Sequence, residues 1–195
     1  MSSIKKNPHG GFLVKTSHQR VLAFFLARPT GRFYGSEIAD KTGISIGQAS
    51  KVLGDLKKAG LVEMERRGRT ELYRIVSDDP ALRAFKVLNT IISIEPLVER
   101  LKRATKRVVL YGSCATGTNI EGSDLDLLVV STKKGAVQEI ISGFPADAYY
   151  GFSEIRTVVK TPAEWAALED KDPVFHNELL RGISLYEKEI DESRL

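Results

Sequence analysis

The chain has 195 residues, of which 42% are hydrophobic and 28% charged, values typical of a globular protein with one large or two small domains. Its longest uninterrupted apolar run, residues 21–27, is far shorter than the ~20 residues that a membrane span requires. A single cysteine, Cys114, excludes an internal disulfide and a cysteine-based zinc site, and three scattered histidines argue against a histidine-based one. The apolar stretch at residues 11–14 is too short for a signal peptide, so we expect a cytoplasmic protein with no membrane partner.

Charge is distributed unevenly along the chain, whose formal net charge is +4. Residues 1–107 contain 21 Lys and Arg against 10 Asp and Glu, giving +11, whereas residues 108–195 contain 8 against 15, giving −7. A basic segment attracts polyanions through counterion release, and an acidic segment accepts phosphate when a cation, usually divalent, neutralises it. The division indicates two modules with different partners, although ordinary solvated surface charge of unequal sign would look the same.

The basic half begins with residues 1–15, which are rich in Gly, Lys, Asn and Pro and are predicted to be flexible. Apolar residues at helical spacing then predict three helices. The helices are expected over residues 17–27, 37–41 and 45–58, with Ser17 and Ser36 as the N-caps of the first two and Ser45 as the start of the third. Gly60 is expected to end the third helix in a left-handed conformation.

A basic hairpin and a helical linker are predicted next. The hairpin consists of strands over residues 61–65 and 71–76 and a turn over residues 66–70. The linker, residues 78–104, is expected to begin with a helix capped by Asp79 and to be broken at Pro96.

Residues 16–77 resemble the winged helix-turn-helix domain of bacterial and archaeal transcription regulators. The resemblance rests on a short helix, a turn at Gly43 and a second helix, which are followed by Leu-Lys-Lys-Ala-Gly-Leu-Val at residues 56–62 and Arg-Arg-Gly-Arg at residues 66–69. It implies that the helix from Ser45 enters the major groove of double-stranded DNA, while the hairpin contacts the backbone or the minor groove.

On that resemblance, the polar side chains of this domain divide by the contacts that each can make. The Gln48 amide can read adenine, and Ser45 and Ser50 can bond to bases or phosphates. Basic side chains would neutralise phosphates and set the register on DNA. They are Lys51, Lys57, Arg66, Arg67 and Arg69. Winged helices also serve as dimerisation or protein-docking modules, so a homodimer and a merely solvated hairpin remain open alternatives.

The second module, residues 105–195, opens with a buried strand and a Gly/Ser/Thr loop. The turn at Gly112 and Ser113 places free backbone N–H groups and a hydroxyl where a phosphate can approach closely. Alternation along the next strand puts Asp124 and Asp126 on one face. Adjacent carboxylates repel each other and are tolerated when a divalent cation lies between them, and their hard oxygens favour Mg²⁺ or Mn²⁺. Because no Gly-Lys-Ser/Thr follows the turn, the motif is not a P-loop.

The joint pattern Gly-Ser, Ala-x-Gly and Ser-Asp-x-Asp-Leu within residues 112–127 resembles the nucleotidyltransferase superfamily of DNA polymerase beta, in its minimal prokaryotic form. The resemblance covers about residues 105–190. It implies a mixed sheet with flanking helices and an NTP, with ATP as the first choice. It also implies two divalent cations and transfer of a nucleotidyl group to an acceptor hydroxyl. The nucleotide-binding residues that it implies are Gly112, Ser113, Gly117 and Ser123.

The same resemblance implies a third carboxylate from a neighbouring strand, here around residues 153–159. Glu154 aligns with that acid, so the implied catalytic and metal-binding residues are Asp124, Asp126 and Glu154. Glutamate is one methylene longer than the aspartate usual in the family, and an alternative register puts Arg156 at the site. Without a third carboxylate, nucleotide and metal would bind while transfer is slow or absent.

The predicted fold class is therefore α+β: an N-terminal winged helix-turn-helix, a helical linker and a C-terminal nucleotidyltransferase-like mixed sheet. The two resemblances imply three alternative functions. The first is a metal-dependent nucleotidyltransferase tethered to a DNA-binding winged helix. The second is a DNA-binding transcription regulator whose nucleotidyltransferase-like domain only binds nucleotide or metal. The third is the nucleotidyltransferase half of a toxin–antitoxin pair, which would act with a helical partner protein.

Overall fold

The computed structural model describes residues 16–76, 79–120, 122–144 and 152–188. The chain divides into two compact units, residues 1–92 and residues 93–195. Helices and a small sheet occur in each unit, which confirms the predicted α+β class. The segment predicted to be flexible, residues 1–15, lies outside the described residues. Within the described ranges, no helix is both long and apolar enough to cross a membrane.

Three helices and a three-stranded antiparallel sheet form the first unit. The helices are α1 (Ser17–Leu26), α2 (Gly35–Thr42) and α3 (Ile46–Lys58), and the strands are β1 (Phe33–Tyr34), β2 (Val62–Arg67) and β3 (Thr70–Ile75). The strand order is β1-β3-β2. Strands β2 and β3 form a hairpin around Gly68 and Arg69, which we call the wing. A helix-turn-helix followed by a wing is the arrangement that the sequence predicted.

Both ends of α3 are set by the residues that the sequence indicated. The Ser45 hydroxyl accepts a hydrogen bond of 3.2 Å from the Gln48 amide, which makes Ser45 the N-cap. After the helix, Gly60 adopts a φ of +73°, and its amide and the next one donate to carbonyls of the last turn. This Schellman arrangement ends α3 and directs the chain into β2.

Two helix starts differ from the prediction. Thr16, not Ser17, caps α1, because Thr16 completes a capping box with the glutamine three residues later. Helix α2 begins before Ser36, which lies inside it, because the Glu37 carboxylate accepts a hydrogen bond of 2.7 Å from the Tyr34 amide.

Aromatic side chains form much of the first unit's core. The rings of Phe24, Phe25 and Phe33 meet edge to face, with centroid separations between 4.7 and 6.1 Å. Ile38 of α2 and Leu53 of α3 are almost completely buried in the same cluster. Because α3 packs through this apolar stripe, its opposite face is left to solvent.

Helix α4, Pro80–Leu101, is continuous, so the predicted break at Pro96 is wrong. Asp79 begins the helix as predicted, since its carboxylate accepts hydrogen bonds from two amides of the first turn. Pro96 has no amide proton to donate, which weakens the helix locally. The residues beside it, Ile94 and Leu97, are fully buried, and their packing keeps the helix intact.

The second unit is a four-stranded mixed sheet with helices around it. Its strands are β4 (Arg107–Tyr111), β5 (Leu125–Val130), β6 (Ile155–Lys160) and β7 (Ile183–Glu187). Its further helices are α5 (Gly112–Thr116), α6 (Lys134–Ser142), α7 (Pro162–Ala166), α8 (Leu168–Lys171) and α9 (Pro173–Leu180). The strand order is β6-β5-β4-β7, in which β6 runs parallel to β5 and the other pairs are antiparallel.

Strand β5 is covered on both faces. One face is fully buried and carries Leu125, Leu127 and Val129. The other face carries Asp126 and then Leu128 and Val130, which pack in one cluster with residues of α8 and α9. Asp126 therefore continues an apolar face at the end of the strand, which is an unfavourable place for a charge unless something neutralises it.

Candidate functional site

The turn between β4 and α5 brings Gly112 against Asp126. Gly112 has a φ of +68°, a conformation that side-chain-bearing residues rarely adopt. An added Cβ there would lie 2.7 Å from Asp126 Oδ2, closer than real Cβ atoms come to other atoms. Backbone conformation and space therefore both require glycine, and the Asp126 carboxylate lies directly on the turn.

The loop that follows the turn is closed by its own hydrogen bonds. Gly117 ends α5 at a φ of +71° and donates its amide to the Ser113 carbonyl. The Ser123 hydroxyl accepts a hydrogen bond of 2.9 Å from the Ile120 amide, so Ser123 holds the loop in place. The Ser113 hydroxyl is half-buried and has no hydrogen-bond partner among the residues that the structure describes. It is therefore available to a ligand at the turn.

The two aspartates lie in different environments at the start of β5. Asp124 is about one-fifth exposed, and its Oδ1 accepts a hydrogen bond from the Ser153 hydroxyl. Burial raises the pKa of Asp126, the negative charge of Asp124 raises it further, and the positive charge of Arg156 partly opposes both. Ionisation of Asp126 is thus disfavoured, mainly because its carboxylate is partly removed from water.

Strand β6 and the residue before it bring both Glu154, the predicted third carboxylate, and its alternative Arg156 to the aspartates. In the parallel register Asp126 pairs with Arg156, and the Leu125 amide donates to the Glu154 carbonyl. Arg156 Nη2 lies 2.8 Å from Asp124 Oδ2, and Arg156 Nε lies 2.5 Å from Glu154 Oε1. The Glu154 carboxylate is therefore connected to Asp124 through Arg156.

Within the described ranges, no group of three or more His, Cys, Asp and Glu side chains is arranged to hold a metal ion. The sequence offered Arg156 as the alternative to Glu154 at this place through a shift in register, and the structure brings both residues there.

Two residues near the turn have supporting roles. Tyr111 is nearly buried, packs its ring edge to face on Phe175 at 5.5 Å, and has its pKa raised to about 12, mainly by burial. The Cys114 thiol is fully buried and donates to the Asp124 carbonyl at 3.3 Å. Both side chains stabilise the turn and the backbone that carries the aspartates.

In the first unit, α3 presents some of the predicted DNA-contacting residues and holds others back. Ser50 and Lys51 are exposed. The Gln48 Nε2 donates a hydrogen bond of 2.6 Å to the Ser17 hydroxyl, so the Gln48 amide is engaged with α1. Together with the capping role of Ser45, this bond commits two of the predicted base-reading groups to the fold.

A groove of about 540 Å³ lies between α3 and the wing. Ser50 and Arg69, two of the residues predicted to contact DNA, line it together with Tyr34 and Ile46. The helical spacing of apolar residues in the sequence groups Ile46 with the residues that α3 buries, but its side chain is 69% exposed. Ile46 is the first residue of α3 and lies outside the buried stripe of that helix.

The arginines of the wing differ in how far they are neutralised. Arg67 Nε lies 3.0 Å from Glu65 Oε1, and Arg32 reaches the other Glu65 oxygen at 3.1 Å. The hydrogen bond from Arg67 is the main reason that the pKa of Glu65 is lowered. Arg66 and Arg69 have no carboxylate partner in the described part of the chain.

Two family models match separate parts of the chain. Residues 92–171 match the family model described as the nucleotidyltransferase domain, and residues 14–75 match a domain of unknown function (DUF7343). No curated protein matches the chain.

Two solved structures share similarity with parts of the chain. One is the homodimeric winged helix-turn-helix DNA-binding domain of a possible ArsR-family transcriptional regulator from Mycobacterium bovis. It has 29% identity and a TM-score of 0.33, over 44% of this chain and 76% of that one. The other is TrmBL2, an archaeal chromatin protein, with 13% identity and a TM-score of 0.31, over 86% of this chain and 73% of that one. Both TM-scores are below 0.5, so neither likeness carries a conclusion about this chain.

Proposed function

We propose that this chain, which joins a winged helix-turn-helix unit to a nucleotidyltransferase domain, is a metal-dependent nucleotidyltransferase tethered to a DNA-binding module. It transfers the nucleotidyl group of an NTP, with ATP as the first candidate, to an acceptor hydroxyl, and pyrophosphate leaves. The observation that carries the proposal is the packing of Asp126 on Gly112, which sets a carboxylate pair beside a turn with a free serine hydroxyl.

Asp124 and Asp126 fit a divalent cation such as Mg²⁺ or Mn²⁺. Their oxygens are hard ligands, and the negative charge of Asp124 adds to burial in raising the pKa of Asp126, which supports a cation beside the pair. When bound, such a cation supplies neutralisation of the triphosphate and activation of the acceptor hydroxyl. Glu154 is the third ligand in this proposal and has to exchange its bond with Arg156 to take that place.

The chain's own residues then have distinct tasks. The Ser113 hydroxyl donates a hydrogen bond to a phosphate oxygen, and the missing side chain of Gly112 lets that phosphate approach the backbone. Gly117 and Ser123 keep the loop closed around the turn. Arg156 adds positive charge beside the aspartates, which a triphosphate can use as a partner.

The direct test is incubation with α-labelled ATP and Mg²⁺, with transfer of the label to an acceptor and a separate assay of pyrophosphate as the readouts. Protein, small-molecule and nucleic-acid acceptors are offered in turn. Wild type should release pyrophosphate, and Asp124→Asn and Asp126→Asn should each lose roughly 100-fold or more in rate, because each removes a charged ligand. Asp170→Asn makes the same chemical change at an exposed position of α8, outside the proposed site, and should retain the wild-type rate. A wild-type rate no higher than that of the two variants would contradict the proposal.

DNA binding by the first unit is the second part of the proposal. Ser50, Lys51, Arg66 and Arg69 support it, since they are exposed on α3 and the wing and leave positive charge for phosphates. A homodimer and a helical partner protein stay predictions, for which the molar mass in solution, alone and with candidate partners, is the measurement.

The ion pair between Arg156 and Asp124 favours a second candidate, a transcription regulator whose nucleotidyltransferase domain binds nucleotide without transferring it. In that case ATP with Mg²⁺ should change the affinity for DNA, measured by fluorescence anisotropy, while no pyrophosphate appears. Affinity that is indifferent to nucleotide, or no DNA binding at low salt, would contradict this candidate.

A further inference from the structure

Arg156 is held between two carboxylates at the edge of the aspartate pair. It reaches Asp124 through Nη2 at 2.8 Å and Glu154 through Nε at 2.5 Å. The parallel pairing of β5 with β6 also places it beside Asp126. Positive charge therefore already lies where the proposed function requires a divalent cation.

A second cation at this place has a cost. A divalent ion on the aspartates would repel the guanidinium, and it would need carboxylate oxygens that now accept hydrogen bonds from Arg156. The exposed fractions show which partner can move. The side chains of Arg156 and Glu154 are 62% and 58% exposed, whereas that of Asp124 is 21% exposed. Arg156 can thus leave for solvent, whereas Asp124 is fixed beside the turn.

We propose, on the basis of the function proposed above, that Arg156 is a positioning residue that competes with the divalent cation for Asp124 and Glu154. In the absence of a divalent cation it serves as the counter-cation of these carboxylates. Arg156 has to release both carboxylates before they can bind a divalent cation. The released guanidinium then has the triphosphate as its new anionic partner, so the site takes up the divalent cation weakly alone and better with nucleotide.

The first test measures Mn²⁺ alone, by the paramagnetic resonance signal of the free ion, with the full-length chain and no nucleotide. Arg156→Gln should bind Mn²⁺ roughly threefold to tenfold more tightly than wild type, because a partly exposed ion pair opposes metal binding by about that factor. Arg156→Lys keeps the charge without the planar fork and should fall between the two.

The matched control is Arg103→Gln, which removes the same charge. Residue 103 is exposed and precedes β4 at the Val130 end of the sheet, where the Lys106 amide donates to the Val130 carbonyl. Its affinity for Mn²⁺ should equal that of wild type. A gain in affinity is not what loss of structure produces, so equal or weaker binding by Arg156→Gln would overturn the proposal.

The proposed role of Glu154 as a ligand of the divalent cation is tested by adding Glu154→Gln to Arg156→Gln. Once the guanidinium is absent, Glu154 is free to join the aspartates, so the double variant should lose part of the gain. A double variant that keeps the full gain would remove Glu154 from the proposal.

A non-hydrolysable ATP analogue separates the two proposals. If wild type and variants bind no Mn²⁺ with or without the analogue, the proposed function fails, and the competition fails with it. If wild type binds Mn²⁺ with the analogue and Arg156→Gln shows no gain with Mn²⁺ alone, the competition fails and the proposed function stands.

Discussion

Gly112 is the residue on which the geometry of the candidate site depends most directly. Its positive φ places the turn, and its missing side chain admits the Asp126 carboxylate. A methyl group there has to displace that carboxylate, which is held on a strand with fully buried neighbours. The chemistry of the aspartates and the shape of the turn therefore rest on one glycine.

Gly112→Ala should destabilise the chain by about 1–3 kcal/mol, because alanine is strained at this φ and its Cβ collides with Asp126. It should also weaken nucleotide binding. Thermal unfolding and titration with a fluorescent ATP analogue are the measurements. Gly135→Ala in α6 is the control: a Cβ there meets nothing within 4 Å, so stability should stay equal or rise by up to ~1 kcal/mol. Equal effects of the two substitutions would contradict the role of Gly112.

Asp126→Asn should make the chain more stable at neutral pH while it removes the proposed metal ligand. The pKa of Asp126 is higher in the folded chain than the ordinary 3.8, so ionisation of this group opposes folding. Wild type therefore loses stability as pH rises through the unfolded and then the folded pKa, and the variant does not. Solvent screening keeps the gain below ~1 kcal/mol, or roughly 2–4 °C in Tm.

Melting curves from pH 3 to pH 8 give the measurement for this variant. The difference in Tm should be absent at the acid end, where Asp126 is protonated in both states, and should open as pH rises. Asp170→Asn should show no such difference. A Tm gap that is largest in acid would show that the charge of Asp126 is not what opposes folding.

At the scale of elements, local signals predicted the structure well and tertiary packing decided the rest. Ser45 and Gly60 mark the ends of α3, because capping depends on a few neighbouring residues. Pro96 was expected to break α4, but buried neighbours keep that helix whole. The positions of Gln48 and Arg156 follow from contacts with distant segments, which no local pattern contains.

The candidate site shows the same limit. The turn and the two aspartates could be located from the sequence, because a glycine turn and alternation along one strand are local features. The residue that accompanies the two aspartates could not be located from the sequence, because it depends on how β6 pairs with β5. The parallel register brings Glu154 and Arg156 to the site together, bonded to each other.

The wing makes a prediction about the salt dependence of DNA binding. Arg66→Gln and Arg69→Gln should each lower the slope of log affinity against log salt by about 0.9, the value for one lost phosphate contact. Arg67→Gln is the matched control on the same hairpin and should change the slope less, because Glu65 already neutralises Arg67. Fluorescence anisotropy between low and moderate salt measures the slopes. Three equal changes, or none, would contradict this assignment.

At the scale of the whole molecule, the proposed function assigns DNA to one unit and nucleotide to the other. The unequal charge of the two halves of the sequence agrees with that assignment, since the basic half contains α3 and the wing, and the acidic half contains β5. Each unit has its own apolar cluster, so each ligand should act on its own set of amides.

Hydrogen exchange followed by mass spectrometry tests this assignment. Double-stranded DNA should slow exchange in residues 46–75, and a non-hydrolysable ATP analogue with Mn²⁺ should slow it in residues 107–130. Bovine serum albumin in place of DNA, and Mn²⁺ without nucleotide, are the controls for each arm. Protection of residues 107–130 by DNA alone would contradict the division of labour.

The burial of Cys114, the single cysteine of the sequence, simplifies labelling of the chain. Its thiol is fully buried and bonded to the backbone of the loop's far end, so alkylating reagents should leave the native chain unmodified. Dyes and spin labels can therefore be directed to cysteines introduced elsewhere without replacing it. The slow rate at which Cys114 is modified would report how often the loop opens. A ligand that holds the turn closed should lower that rate.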